Sequence, residues 1–272
     1  MANKFSSCIA TTTGLVPEDI GGIIFDLNPN NDSTYTDSAK LVKAETGDTV
    51  YTFTEDVYGF NLIQATAGAR PTLGETSEGI KYLYSSDGSR WMSTNDLTGA
   101  DQAALIALDT FPLTVCVWCY FTATSLAATN YITGFMEENS TNGIHVSSYS
   151  VATPENWFFR RFDSATGRSV SVSSANYPYT QGMSFFTHKY PSDEYRLYSY
   201  VNGVYSGRST TATAQGNPNS IRLWTSGSNS PTSFAASGTR FYRMCIFNKE
   251  LTNDELIRLY VGTKAYYYDS AL

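Results

Sequence analysis

Two adjacent carboxylate pairs, Glu137-Glu138 and Asp193-Glu194, are the first residues in this chain that could do acid–base chemistry. Cleaving a glycosidic bond needs two carboxyls facing each other across it, about 5–5.5 Å apart in the retaining geometry. Neighbours on a strand point to opposite faces, so Glu137 and Glu138 do not meet that need. Asp193 and Glu194 precede a strand, in a loop. Cys116 and Cys119 have C-x-x-C spacing, but on a strand that spacing puts the sulfurs on opposite faces. No second pair follows at zinc-site spacing. The four cysteines, Cys8, Cys116, Cys119 and Cys245, show no disulfide framework and read as core thiols. His145 and His188 have no nucleophile-and-acid context. Asp87, beside Gly88, and Asp163, in a hairpin loop, could ligate a hard cation, yet Asp-Gly is first a turn signal. The residues therefore predict no catalytic centre and commit the chain to no metal.

Aromatic side chains remain, and there are many: 20 Tyr, 15 Phe and 4 Trp. Alternation puts Arg196, Tyr198 and Tyr200 on the outward side of one strand, and Arg222 with Trp224 on the outward side of another. Flat rings flanked by polar groups suit sugar rings, and equally a protein partner. If an N-terminal arm covers this face, the same rings are core.

The elements that must carry these residues are strands. Only 16% of the 272 residues are charged, and the aromatic content favours β structure. A net charge of −7 argues against a duplex-binding surface, which needs clustered Lys and Arg. No stretch approaches the roughly 18 apolar residues of a membrane span. The first residues lack the apolar core of a signal peptide, which predicts synthesis in a cytoplasm.

Residues 1–60 are turn-rich, with Ile23–Leu27 as their main apolar run, and predict an arm or an added layer, without a core of its own, that packs on its own domain or a neighbouring subunit. From residue 61 to 265 the chain reads strand, turn, strand. Leu113–Phe121 is apolar on both faces, as a covered central strand should be. Asp101–Leu108 predicts a brief helical turn. Hairpins are expected around Asn142-Gly143, across 163–167, and at Asn202-Gly203, a type I′ signal. Residues 238–260 close the pattern. There Tyr242, Met244 and Ile246 should share one strand face, with Phe241, Arg243, Cys245 and Phe247 on the other. Thr252 and Glu255 then form a capping box, Leu251 and Leu256 the matching staple, and Gly262 a stop. Residues 266–272 form a tail, whose Tyr266-Tyr267-Tyr268 predicts docking on a partner. The whole predicts an all-β, antiparallel two-sheet jelly-roll sandwich with one short C-terminal helix and an N-terminal arm.

Three segments in order resemble the concanavalin A-like lectin/glucanase superfamily in its laminin-G-like branch. They are Leu113-Thr-Val-Cys-Val-Trp-Cys-Tyr120, Tyr195-Arg-Leu-Tyr-Ser-Tyr-Val-Asn-Gly-Val204 and Phe241–Tyr260. Asn61–Thr72, containing Gln64-Ala-Thr66 and Arg70-Pro71, resembles a stretch found ahead of this fold in bacteriophage structural proteins. The resemblance implies a non-enzymatic virion component, such as a head decoration, fibre or tail appendage. Its expected partners are other virion proteins, held through the arm and tail, in a homo-oligomer. A carbohydrate-binding module for host or environmental glycans is the alternative, and a glycoside hydrolase is a second. Calcium is the cofactor the family implies, through loop carboxylates, without a residue set here that commits to it. Nucleic acid and membrane are not expected partners.

Overall fold

Leu113–Phe121 is the longest-range organiser of the fold, and the strands around it follow from its two apolar faces. The computed structural model describes residues 14–108, 112–122, 130–136, 143–149, 156–163, 168–169, 182–190, 198–208, 218–225, 237–264 and 267. Numbering strands along the chain, this one is β8 (Leu113–Phe121), between β17 (Arg240–Phe247) and β13 (Gly182–Tyr190). The first sheet continues past β13 through β14 (Tyr198–Val201) and β15 (Val204–Arg208). On the other side, β17 pairs with β6 (Lys81–Tyr84) and with β1 (Ile23–Leu27), and β5 (Thr72–Glu75) follows β6.

The second sheet begins with β2 (Thr34–Tyr35), β3 (Thr52–Thr54), β4 (Asn61–Ile63) and β7 (Met92–Ser93). It runs on through β16 (Ser220–Leu223), β9 (Asn130–Met136), β10 (Gly143–Tyr149), β11 (Asn156–Asp163) and β12 (Arg168–Ser169). Neighbours in both sheets are antiparallel. The chain is thus an all-β antiparallel sandwich, as expected.

Between the sheets lies the main core, with Val115, Val117, Cys119 and Phe121 of β8 facing Leu62, Met92, Ile221 and Leu223. On the other face of β8, Cys116 and Trp118 join Tyr242, Cys245 and Phe247 beneath Leu256 and Leu259. Those leucines belong to the C-terminal helix, Asn253–Thr263. It is α3, after α1 (Pro17–Ile20) and α2 (Gly99–Leu108). Cys116 and Cys119 therefore do sit on opposite faces, and both are buried thiols outside any disulfide, as is Cys245.

One face assignment in β17 is corrected. Phe241 joins Met244 and Ile246 in the main core, whereas Tyr242 lies with Cys245 and Phe247. The register shifts between Phe241 and Arg243 opposite β8. A bulge there inserts one residue and reverses the alternation upstream of it.

The helix start is as the sequence predicts. Glu255 N donates to Thr252 Oγ1 at 3.1 Å, and Thr252 N donates to Glu255 Oε2 at 2.7 Å. Leu251 and Leu256 are both fully buried. Gly262, expected as the stop, lies inside the helix. Its role is close approach: a Cβ there would fall 2.2 Å from Leu15 O, where the N-terminal segment crosses the helix. Asn202 and Gly203 both have positive φ, 53° and 75°, as a type I′ turn requires.

Both terminal segments, where described, pack on their own domain. Among residues 1–60, those from 14 onward form the added layer, and not a projecting arm. β1 pairs with β17, β2 and β3 extend the second sheet, and Phe25, Leu27, Val50, Phe53 and Phe60 enter the main core. Strands of two to five residues cannot bury a face alone, so they add to existing sheets. Tyr267 docks on its own domain, its ring 5.9 Å from Trp118 and 5.5 Å from Tyr242. Tyr266 and Tyr268 lie outside the described residues.

Candidate functional site

The outer face of the second sheet opens into a cleft of about 460 Å³ where β4 and β7 run side by side. Ile63 pairs with Ser93 across these strands. Because Leu62 and Met92 point into the core, Ile63 and Ser93 point the other way, into the cleft. Gln64, Ala65 and Thr66 form one wall, Ser93 to Asp96 the other, and Trp91, which also packs against the main core, lines the cleft beside them.

The walls are rigidly tied. Gln64 is buried, and its Nε2 donates to Trp91 O at 3.2 Å while its Oε1 accepts from Thr66 N at 2.9 Å. One amide thus fixes both the 64–66 turn and the backbone that carries the indole. Arg70 adds a second brace, Nε donating to Gln64 O (2.9 Å) and Nη2 to Ala65 O (3.0 Å), with its guanidinium 4.6 Å over the Tyr51 ring. Opposite, Thr94 is buried and exchanges hydrogen bonds with Ile221, Thr94 N to Ile221 O and Ile221 N to Thr94 Oγ1.

Held in that frame are groups with no internal commitment. Among the described residues, Trp91 Nε1, Thr66 Oγ1, Ser93 Oγ and the Asn95 amide make no hydrogen bond. Trp91 is half-buried, and Asp96 supplies the single carboxylate among the lining residues. Such a cleft can offer an apolar ring face, two hydroxyls, an amide and a carboxylate to a polyhydroxylated ligand. With one carboxylate it lacks the facing pair that glycoside hydrolysis requires.

The expected aromatic surface is not where alternation put it. Arg196 lies outside the described residues. Tyr198 is half-buried and Tyr200 buried, both packed on the outer face of the first sheet near α3, where Tyr200 Oη donates to Asn253 Oδ1 at 3.0 Å. Arg222 and Trp224 belong to the second sheet and are fully buried. Arg222 pairs with Ser93, so it shares the cleft's side of the sheet, where its Nε donates to Ser220 Oγ at 3.0 Å. Trp224 turns the opposite way, into the main core. Its φ of 61° breaks the extended alternation immediately after Leu223. These residues therefore do not form one solvent-facing patch.

Sequence reasoning missed Trp91, Asn95 and Asp96 as a site, although resemblance singles out Gln64-Ala-Thr66.

Carboxylates do gather elsewhere, in a structural role. Glu55 is fully buried and accepts from the backbone N–H groups of Asp26, Val57 and Tyr58 at 2.8, 2.9 and 2.6 Å. Asp26 forms a two-point ion pair with Arg243, at 2.9 and 2.6 Å, and Glu18 meets the same guanidinium at 2.6 Å. Burial pushes up the pKa of Asp26 and of Glu55, and partial desolvation beside those two carboxylates raises that of the more exposed Asp56 to about 6. Their oxygens are spent on the backbone, Arg243 and Asn31, so they brace the β1–β3 layer against β17.

Asp87 closes its turn by accepting from Ser89 N (3.0 Å) and pairing with Arg90 at 2.7 Å. Among the described residues no three His, Cys, Asp or Glu side chains gather as a metal site, and no helix is long and apolar enough to cross a membrane. Glu137, Glu138, Asp193 and Glu194 lie outside the described residues, as do the side chains of His145, His188 and Asp163.

No protein-family model matches the sequence, and no curated protein matches it. Solved structures do. The binding domain of Paraclostridial Mosquitocidal Protein 1 aligns over 90% of this chain and 52% of its own, at 13% identity and a TM-score of 0.55. Trypanosoma rangeli sialidase in complex with sialic acid aligns over 93% of this chain and 36% of its own, at 10% identity and 0.51. The Ruminococcus gnavus IT-sialidase CBM40 aligns over 65% of this chain and 94% of its own, at 12% identity and 0.49. The chain thus spans about half of the first of these structures and about a third of the second. At such identities the likeness is one of fold alone. None of the three bears on a bacteriophage particle.

Proposed function

We propose that the protein is a non-catalytic carbohydrate-binding module whose ligand lies in the Trp91 cleft. The observation behind this is the set of unspent groups, Trp91, Thr66, Ser93 and Asn95, beside Asp96 in a braced concave site. A pyranose has one face of C–H groups for the indole and a rim of hydroxyls for the others. The lectin-like fold is in keeping with this reading. So are two of the fold neighbours, one a binding domain and the other a sialidase holding sialic acid. A glycan array followed by calorimetry tests it: binding should fall by at least about tenfold, or 1.4 kcal/mol, in Trp91→Ala. An array without hits, or unchanged affinity in that variant, would remove the proposal.

A second reading keeps the protein as a bacteriophage virion component, made in the host cytoplasm and attached as a homo-oligomer through the exposed loops within residues 1–60. One observation favours it. Leu41, Val42, Val57 and Tyr58 are 83, 57, 50 and 47% exposed on loops of the β2–β4 edge, and they would bury apolar area against another protein. Mass spectrometry of purified particles decides it, and the chain's absence from them would end this reading.

A further inference from the structure

Helix α3 and Tyr267 seal Trp118, Tyr242, Cys245 and Phe247 on the outer face of the first sheet. Tyr82, Tyr84, Tyr120 and Arg240 on the same sheet stay half-buried at the margin of that seal, with Tyr82 and Tyr120 packed against the sealed cluster. Register sets Tyr84 and Tyr120 directly opposite Arg240, one on each flanking strand. The guanidinium carbon lies 4.8 Å from the centre of the Tyr82 ring and 4.7 Å from that of Tyr120. Two rings thus grip one planar cation.

The grip is built into the backbone. Tyr82 lies 6.1 Å from Tyr84 and 5.2 Å from Tyr242, ring centre to ring centre. Its ring crosses Gly74 on β5, where a Cβ would fall 2.3 Å from the ring carbon, so only glycine leaves it room. Arg90, Arg243 and Arg258 each have a carboxylate partner. Among the described residues, no carboxylate pairs with Arg240.

The Arg240 guanidinium, held between ring faces and within hydrogen-bonding reach of the Tyr242 hydroxyl, keeps its remaining edge N–H donors for an acceptor. One immobilised cation in a chain of net charge −7 suits a singly charged group and not a polyanion. The surrounding phenols add ring faces and hydroxyls that match a sugar better than a bare ion. We propose that Arg240, with Tyr82, Tyr84 and Tyr120, forms a second binding site that takes the carboxylate or sulfate group of an acidic saccharide. This site lies on the first sheet and does not depend on the reading of the Trp91 cleft.

The test uses the full chain and four probes: an immobilised galactoside in neutral, sulfated and carboxylated form, and inorganic sulfate in solution. At least one acidic galactoside should bind about tenfold or more tighter than the neutral one, and the preference should fall as salt rises. Arg240→Met should abolish the preference, and Arg240→Lys, which keeps charge without the plane, should lose most of it. Gly74→Ala should weaken it by displacing Tyr82, and it decides the matter if the Arg240→Met melt shows a folding defect. Whichever of the sulfated and carboxylated arms responds names the group. Equal binding of neutral and acidic probes, no binding, a preference that survives Arg240→Met, or binding of inorganic sulfate alone would each overturn the proposal.

Discussion

Replacing Arg243 with Met should destabilise the protein strongly at neutral pH and far less in mild acid. Arg243 and Asp26 are each almost fully buried, and the Met side chain would leave the Asp26 carboxylate without a cation. Orphaning one partner of a buried pair costs roughly 3–5 kcal/mol. Asp26 can escape that cost by taking a proton. Relative to an unfolded Asp of pKa about 3.9, that escape costs about 1.4 kcal/mol per pH unit. The ceiling is therefore about 5 kcal/mol near pH 7.5 but only about 1.5 kcal/mol near pH 5. The sign is consistent with the wild-type protein, where burial already raises Asp26 above its ordinary value despite Arg243. A carboxyl raised in the folded state favours folding below its unfolded pKa, and that contribution is lost as pH rises through the folded value. Losing Arg243 raises Asp26 further and steepens that loss. Glu18 is more than half exposed and returns to water, so it adds little. Urea unfolding followed by tryptophan fluorescence, run at both pH values, reads the difference, and Asp26→Asn in the Arg243→Met background should recover most of it. A penalty equal at both pH values, or a double variant no better than the single, would refute this account of the pair.

The same layer predicts that Asp56→Asn stabilises the fold at neutral pH and does nothing near pH 4. Asp56 keeps an exposed edge, yet desolvation together with the nearby Asp26 and Glu55 carboxylates raises it to about 6, so its ionisation works modestly against the folded state as pH rises through that value. Thermal melts across the range check it, and a gain that persists in acid would count against the assignment. Thr263→Val removes the acceptor of Trp118 Nε1, 3.0 Å away in a buried site, at a cost of about 1–3 kcal/mol, whereas Thr263→Ser should stay near wild type. Equal melting temperatures for the two variants would show that this bond does not hold α3.

Much of the architecture could be read from local chemistry. Thr252 and Glu255 announce the helix start because capping involves residues only three apart, and Asn202-Gly203 announces its turn through φ alone. Cys116 and Cys119 fell on opposite faces because β8 keeps a strict alternation. Misassignments came where alternation breaks. A bulge at Phe241–Arg243 is set by pairing with β8, and the positive φ of Trp224 has no Gly or Asn to signal it. The cleft was hidden for a different reason: Gln64 and Trp91 are far apart in sequence and meet only because β4 and β7 pair. Likewise β1 to β3 resembled a loose arm, since their burial comes from strands formed much later in the chain.

The position of β17 has a consequence for how the protein is made. It sits between β8 and the pair β1 and β6, so the first sheet lacks an interior strand until residues 240–247 leave the ribosome. Until then β8 presents one edge of unpaired backbone groups, flanked by apolar faces on both sides. Closure must bring strands more than two hundred residues apart into register in a single late step, which makes for slow folding. Chains interrupted before that step would be the aggregation-prone species.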